Sequence, residues 1–510
     1  MNLDNNSKIK SLEKIGEVLS PSRAEGGRIV LCHGTFDLLH PGHLRHLKEA
    51  RELGDLLVVT ITADRYVSKG PGRPAFNEQL RAESMAALVY VDYVCVVYEA
   101  TGISAIEAVQ PHLYVKGGEY REVGDDVTGN MLREKNAVEA GGGEIYYTGG
   151  ITFSSSTLLN QHFSQFPQAV KDYLQKFKSV YGSRDVSEQI QSLEGLKVLV
   201  VGDTIIEEFC SVSSMGINSE DIANTACKYE SIERFPGGAV EVANQIAAYV
   251  DGVTLLTGLG RGDPHEPMVR SKLAERITPA FFFFETAPTL VKRRFIDANH
   301  KKLFELYFYD ADPVTPSLED EICRWIAANA ESFDAVIVPD YGNGFITEKI
   351  VEALANYAGF LAVNTQINAG NLGFHSINRY PRADYISLNG SEIRLAAHNN
   401  HASLQELAIK IGRDLKAGTF CINQDGEEVL LVDVDQATST SAPSLSGSGN
   451  GQKSFSDSYF AIIALCLAKG GERELALFLA GAAQVLAGQE SDSGFAGSVA
   501  LHKFTTTLLK

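Results

Sequence analysis

An α/β fold in two domains, each built on a parallel sheet, is what this sequence predicts, and three observations carry the prediction. Short apolar runs of strand character alternate with helical patterns from Arg28 to about Phe163, and the same alternation resumes at Leu196 after a polar stretch. A chain of 510 residues is too long for one ordinary core. A Gly/His-rich turn closes the first strand and opens the first helix of the alternation, where ligands of parallel sheets bind. The expected division is an N-terminal extension over residues 1–26, a first domain over 27–163, a helical linker over 164–194 and a larger α/β domain over 195–510.

The first strand, Arg28-Ile29-Val30-Leu31-Cys32, is a continuous apolar run, as a strand buried on both faces must be. Leu44, Leu47, Ala50 and Leu53 then recur at helical spacing. Between them stands His33-Gly34-Thr35-Phe36-Asp37-Leu38-Leu39-His40-Pro41-Gly42-His43. Three residues apart, His40 and His43 share one face of the first helical turn. That end of a helix offers unpaired backbone N–H groups and the positive end of its dipole, so an anion is stabilised there before any side chain acts. Gly34 lets the backbone turn closely and Gly42 keeps the helix entrance open, which leaves two imidazoles beside a phosphate position. His46 and His112 lack that context and read as satisfied structural histidines.

Further strands follow at Leu56-Leu57-Val58-Val59-Thr60-Ile61, Tyr93-Val94-Cys95-Val96-Val97, Leu113-Tyr114-Val115 and Glu144-Ile145-Tyr146-Tyr147. Lys69-Gly70-Pro71-Gly72-Arg73-Pro74 puts two cations in a Gly/Pro loop, either to meet a triphosphate or as solvated loop charges. Val115-Lys116-Gly117-Gly118-Glu119-Tyr120 leaves another strand end. Phe153-Ser154-Ser155-Ser156-Thr157-Leu158-Leu159 reads as a helix start whose hydroxyls either cap the helix or hold phosphate oxygens. The second domain opens on Leu196-Lys197-Val198-Leu199-Val200-Val201-Gly202-Asp203 and continues through Val253-Thr254-Leu255-Leu256, Ala335-Val336-Ile337-Val338-Pro339-Asp340, Phe360-Leu361-Ala362-Val363 and Tyr385-Ile386-Ser387-Leu388. Residues 437–456, rich in Ser, Thr and Gly, read as a mobile loop.

Composition narrows the function. No run reaches eighteen uninterrupted apolar residues, so neither a membrane span nor a membrane partner is expected. The first residues lack a basic start followed by an apolar run, and the seven cysteines form neither a metal-ligand spacing nor a disulfide framework. Cytoplasm is the expected compartment. With 64 acidic against 45 basic residues the formal charge is −19, which opposes broad binding to nucleic acid.

The string from Gly34 to His43 resembles the G-x-F-D-x-x-H-x-G-H signature of the nucleotidyltransferase superfamily, which joins a nucleotide to a phosphorylated alcohol or sugar and releases pyrophosphate. Together with the Lys69, Lys116 and Ser155 strings, in that order, it resembles the nucleotidyltransferase half of the bifunctional ADP-heptose synthase family across residues 27–163; glycerol-3-phosphate cytidylyltransferases are a more distant likeness. The resemblance implies a Rossmann-like sheet. It places Gly34, Thr35, Phe36, His40, Gly42 and His43 around a nucleoside triphosphate, with Lys69 near its phosphates, Ser155, Ser156 and Thr157 closing over them, and Lys116 on the substrate side. It also implies Mg²⁺, ATP or CTP as the nucleotide, a sugar phosphate as co-substrate, and self-association; no residue is assigned as a direct metal ligand.

Phe235-Pro236-Gly237-Gly238-Ala239, Pro339-Asp340-Tyr341-Gly342-Asn343-Gly344 and Leu388-Asn389-Gly390-Ser391-Glu392 resemble motifs of the ribokinase, or phosphofructokinase-B, family over about residues 195–505. By that resemblance Asp203, Gly237, Gly238 and Asp340 face a sugar, and Asn389 with Glu392 helps place Mg²⁺-ATP. For the family's catalytic aspartate two alignments compete. Gly447-Ser448-Gly449-Asn450 keeps the glycines and puts an amide at the base, whereas Ser454-Phe455-Ser456-Asp457 keeps the acid ahead of an apolar helix, and Asp457 is preferred. Asp457 as a plain helix cap is its bland reading. Glu241 stands where the family has asparagine, and Val363-Asn364-Thr365-Gln366 replaces an Asp-Pro-Lys string. The expectation is a nucleotidyltransferase making a nucleotide-activated, heptose-like sugar, fused to a kinase-like domain that phosphorylates a sugar or only binds. The rival is a cytidylyltransferase for an alcohol phosphate beside an inert second domain.

Overall fold

The computed structural model describes residues 5–67, 73–118, 130–149, 166–218, 221–299, 301–368, 370–371, 373–424, 427–445, 455–487 and 497–509. The chain divides into two units, Met1–Phe166 with Val499–Lys510, and Pro167–Ser498. Among the described residues no helix is long and apolar enough to cross a membrane.

In the first unit the strands β1 (Ile29–Gly34), β2 (Leu56–Thr62), β3 (Tyr93–Val97), β4 (Leu113–Lys116) and β5 (Glu144–Tyr147) form one sheet in the order β3-β2-β1-β4-β5. All four pairings are parallel. Helices α2 (Pro41–Glu52), α3 (Glu78–Ala86), α4 (Ile103–Val109) and α5 (Asn130–Ala140) make the connections and, with α1 (Leu12–Ala24) ahead of β1, cover both faces. Alternation along β1 shows this directly: Val30 and Cys32 join Leu47 and Met85 in one core, and Ile29 and Leu31 join Ile15, Ile106 and Val109 in the other. The stretch expected as an extension is thus part of a core, because α1 carries the fully buried Ile15 and Leu19. Strand order reverses beside β1, between β2 and β4, and an open parallel sheet binds ligands beyond the carboxyl ends of its strands at such a reversal. The Gly34–His43 turn leaves β1 at that point.

The second unit holds a nine-stranded sheet in the order β10-β9-β6-β13-β14-β15-β16-β17-β18. Its parallel part comprises β6 (Lys197–Val201), β9 (Gly252–Gly260), β10 (Ile277–Phe284), β13 (Ala335–Asp340), β14 (Leu361–Thr365), β15 (Tyr385–Asn389) and β16 (Thr419–Gln424). Two antiparallel strands, β17 (Glu428–Asp433) and β18 (Thr438–Pro443), finish one edge. The Ser/Thr-rich stretch expected as a mobile loop therefore begins as an edge strand: Thr438, Ser439, Thr440 and Ser441 run consecutively along the rim, where one face needs no apolar side chain. A separate four-stranded sheet, β12-β11-β7-β8, is made by the long hairpin β7 (Thr204–Asn218) and β8 (Asp221–Gly238) with β11 (Leu290–Ile296) and β12 (Lys302–Phe308). The segment 164–194, expected as a linker, forms the helices Gln168–Lys178 and Ser183–Leu193, which bury Tyr173, Phe177, Val186 and Ile190. Phe177 stacks on Phe478 of the same unit at 4.1 Å, so these helices are part of a core.

Candidate active site

β1 ends at Gly34, and Phe36 then turns the chain with a left-handed backbone, φ 47°. That conformation costs a non-glycine residue about 1–2 kcal/mol, which the burial of the ring in the core with Leu47 and Met85 offsets. His40 caps α2: its Nδ1 accepts from the Gly42 N–H at 3.1 Å, and Pro41 takes the first helical position, where a missing N–H is no loss. With Nδ1 accepting, the proton of neutral His40 resides on Nε2. Burial holds this imidazole below its ordinary pKa and so favours the neutral ring. Nε2 is itself buried and has no hydrogen-bond partner among the described residues. His43 stacks on His40 with ring centres 4.0 Å apart, and Phe36 meets His43 edge-on at 5.4 Å.

Asp37 adds the opposite polarity. Its Oδ1 accepts from the Ala75 and Phe76 N–H groups at 2.7 and 3.1 Å, while Oδ2 is buried without a partner among the described residues. Arg73 feels two opposed effects: burial lowers its pKa, and the charge of Asp37 works against that by a smaller amount. An N–H donor and a carboxylate oxygen, both buried and both unanswered among the described residues, thus stand at the reversal point of the sheet.

Beneath them lies a satisfied polar floor. Lys116, at the end of β4, pairs with Glu134 of α5 at 2.9 Å and lies over the Tyr114 ring at 4.8 Å. Glu134 also accepts from the Gly102 N–H at 2.8 Å and the Tyr114 hydroxyl at 3.0 Å. Burial works to raise the Glu134 pKa, but the charge and hydrogen bond of Lys116 and the Gly102 N–H outweigh it, and the net shift is down. His33 lies 2.9 Å from the Thr60 hydroxyl through Nδ1 and 3.4 Å from the Thr62 hydroxyl through Nε2. Burial, then the charges of Lys116 and Lys503, against an opposing Glu134, pull it down to about 4.

In the second unit β6 and β13 run parallel and adjacent, which brings Asp203, just past β6, and Asp340, the last residue of β13, to the same sheet edge. Burial, then the charge of Asp340, pushes Asp203 up to about 7 against the Phe345 N–H and smaller opposing effects. Asp203 Oδ1 accepts from Phe345 N–H at 3.3 Å, and Oδ2 has no partner among the described residues. Asp340 is committed internally: Oδ2 accepts from Arg379 Nη1 at 3.1 Å and the Tyr380 hydroxyl at 2.8 Å, and Oδ1 from the Gly342 N–H at 3.2 Å. His375 Nε2 lies 2.9 Å from Oδ1 but off the line of a good hydrogen bond. Gly237 and Gly238 pair with Ile205 and Thr204, and a Cβ at Gly238 would fall within 2.4 Å of the Asp203 carbonyl. Asn389 and Glu392 form a reciprocal cap on the helix Gly390–Ala397, and Glu392 also accepts from the Ile367 N–H at 3.2 Å. Asp457 lies in the first turn of the helix Phe455–Ala468, 8% exposed. Burial, then the charges of Asp457, Glu241 and Asp203, raises the Tyr341 phenol.

Comparison with known proteins bears on the segment that carries the first of these two sites. Residues 31–143 match the family model described as cytidylyltransferase-like. This segment is a cytidylyltransferase-like domain. The bifunctional protein HldE of Trichlorobacter lovleyi is 43% identical over 144 residues, and that of Pelobacter propionicus 40% over 156. The match covers 28% of this chain and 28% of the first relative, and 30% of each in the second, so the chain spans less than a third of the length of the curated relatives it matches. Among solved structures, a ribokinase from Thermotoga maritima is 16% identical, covering 61% of this chain and 99% of that one with a TM-score of 0.47. The phosphofructokinase-2 of Escherichia coli with fructose-6-phosphate is 14% identical, covering 62% and 100% with a TM-score of 0.47.

In the cytidylyltransferase-like domain the structure brings Gly34, Thr35, Phe36, His40, Gly42 and His43 together around one turn, with Lys116 at the end of the neighbouring strand and already paired. Lys69, Ser155, Ser156 and Thr157 lie outside the described residues, as does the Gly447–Asn450 alternative in the second unit. Sequence reasoning quoted Asp37 without giving it a role, although an acid inside a phosphate-binding turn needs a reason to be there. It passed over Arg81, whose signal was a lone arginine beside Ala82 and Met85 on the buried stripe of α3. His46 and His112 are satisfied, by the Thr148 hydroxyl at 3.0 Å and the Ile29 N–H at 3.0 Å.

Proposed function

We propose that the cytidylyltransferase-like domain transfers a nucleotidyl group from a nucleoside triphosphate, ATP first, to a heptose-like sugar 1-phosphate and releases pyrophosphate. One observation carries the reading: at a helix N-terminus on the sheet's reversal point, His40 presents a buried Nε2–H that is unanswered among the described residues. A phosphate oxygen of the sugar attacks the α-phosphorus in line; as that P–O bond forms, the bond to the bridging oxygen breaks and its electron pair leaves with pyrophosphate. No covalent enzyme intermediate is required. His40, His43 and the first N–H groups of α2 meet the charge that moves onto the departing phosphate oxygens. Asp37 Oδ2 would hold a Mg²⁺, and such an ion would supply neutralisation of the triphosphate's charge. Lys69, Ser155, Ser156 and Thr157 complete the phosphate contacts in this proposal.

Pyrophosphate release with ATP and CTP, each against a panel of sugar and polyol phosphates, tests it. His40→Ala lowers turnover by about 10²–10³, the usual loss for one charge-stabilising donor, and His43→Ala abolishes release while circular dichroism stays that of the wild type. Unchanged turnover in both variants ends the reading; turnover with CTP and a polyol phosphate alone transfers it to the rival substrate pair. The resemblance of the Gly34–His43, Lys69, Lys116 and Ser155 strings to the ADP-heptose synthase family supports the sugar and ATP, and the family description keeps CTP in the test.

For the second unit the proposal is a sugar kinase in which Asp457 takes the proton from the sugar hydroxyl, Asp203, Gly237, Gly238 and Asp340 line the sugar, and Asn389 with Glu392 approaches Mg²⁺-ATP. The burial of Asp457 in the first turn of its helix, and an Asp203 Oδ2 without a partner among the described residues, support this. The internal commitments of Asp340, Asn389 and Glu392 favour the second reading, a domain that binds without turnover. ADP formation from ATP with unphosphorylated sugars, lost in Asp457→Asn, decides for the kinase. Self-association belongs to the same proposal and is read from the sedimentation mass.

A further inference from the structure

Arg81 is a guanidinium placed where the core of the first unit should be apolar. It stands on α3 with 1% of its surface exposed, among the largest fully buried side chains of the protein. Its four hydrogen bonds reach three separate segments. Nη1 donates to the Thr35 carbonyl at 2.5 Å, Nη2 to the Thr62 carbonyl at 2.8 Å and to Asp64 Oδ1 at 2.5 Å, and Nε to the Phe76 carbonyl at 2.9 Å. The Thr35 carbonyl belongs to the peptide that enters Phe36, the left-handed residue of the site turn. The Phe76 N–H in turn donates to Asp37 at 3.1 Å, and the Asp64 N–H is held by Glu78 at 2.6 Å. One planar cation thus ties the turn after β1, the end of β2 and the approach to α3 into a single rigid piece.

Burying a charge is costly even when it is paired, and an apolar side chain of similar size often serves a fold as well or better. A guanidinium is kept here for what its fork can orient. We propose that Arg81 is the positioning residue of the nucleotidyl-transfer site: by fixing the Thr35–Phe36 peptide in its left-handed turn, it sets the Phe36 ring against His43 and so holds the stacked pair of His43 and His40 with the His40 Nε2–H turned to the incoming phosphate. The inference rests on the function proposed above. It needs no contact between Arg81 and substrate, since the side chain is buried and four of its five N–H donors are spent on the protein.

The test compares wild type, Arg81→Lys and Arg81→Ala, each verified as folded by circular dichroism below its thermal midpoint. Lysine keeps the charge and loses the fork, so Arg81→Lys drops turnover by about a hundredfold, the usual penalty for a reacting group displaced by about an ångström, with a smaller change in KM for the triphosphate. Added methylguanidinium restores pyrophosphate release in Arg81→Ala, a recovery that a general loss of stability does not show. Carbon-13 titration of the histidines supplies a readout free of turnover: in Arg81→Lys the His40 pKa moves back up toward the ordinary value as its burial is lost, while His33 stays near 4. Wild-type turnover and an unmoved His40 titration in Arg81→Lys overturn the inference. If the wild type releases no pyrophosphate with any substrate pair, the function fails on its own, and the His40 titration still decides whether Arg81 positions the pair.

Discussion

At the residue scale the site is defined by which nitrogen is already taken. The Gly42 N–H occupies His40 Nδ1, so the tautomer is set before any ligand arrives, and a buried donor is left on the other side of the ring. His33 shows the complementary arrangement: both ring nitrogens face threonine hydroxyls, and nothing is left to offer. Its depressed pKa has a stability consequence with a definite sign. The unfolded chain takes up this proton near 6.5, while the folded chain refuses it until about 4. His33 therefore contributes stability that is fully present above 6.5 and is lost as pH falls through that window toward about 4. Protection of the β1 amides against hydrogen exchange should weaken across that interval. His33→Gln should flatten that response; an equally steep response in the variant would assign it to other groups.

At the scale of elements, short connections set the chemistry. The turn between β1 and α2 is cut close by a left-handed Phe36, and the entry from β8 into the helix Ala239–Ala247 is cut close by Gly238 at φ 65°. Gly238 has a second constraint, because its missing Cβ makes room for the Asp203 carbonyl, which accepts the Ala239 N–H at 2.9 Å. Gly238→Ala should destabilise the second unit by about 1–3 kcal/mol from backbone strain, with the close approach added to it. Its thermal midpoint, followed by a probe in the second unit, should drop accordingly. An unchanged midpoint would mean that β8 relaxes without cost.

At the scale of the whole molecule the chain is not two beads in sequence. It leaves the first unit at residue 166, builds the second, and returns for its last twelve residues, Val499–Lys510, to the first. The helix Ser498–Leu509 buries Leu501, Phe504 and Leu508 at a spacing that makes one apolar stripe. Removing residues 499–510 should therefore lower the protease resistance of the first unit more than that of the second. Cleavage confined to the second unit would show that the returning helix contributes nothing to the first.

Much of this was legible in the sequence. Each strand named from its apolar run is a strand, since a parallel sheet covered on both faces demands such runs, and the Gly/His turn lies at the end of β1 as its spacing required. The hairpin of β7 and β8 was not legible, because its strands mix polar and apolar residues without a clean alternation. Nor could periodicity show Asp340 already engaged, or Arg81 at the centre of three segments, since Asp340 is met by Arg379 39 residues on and Arg81 reaches Thr35 46 residues back. The sequence by itself determined the elements and the motif that marks the site, because local spacing and backbone chemistry suffice for both. Only the tertiary structure decided which polar groups remain unanswered, because a hydrogen bond's partner is chosen by proximity in space, and proximity is settled when strands far apart in the chain take their places side by side.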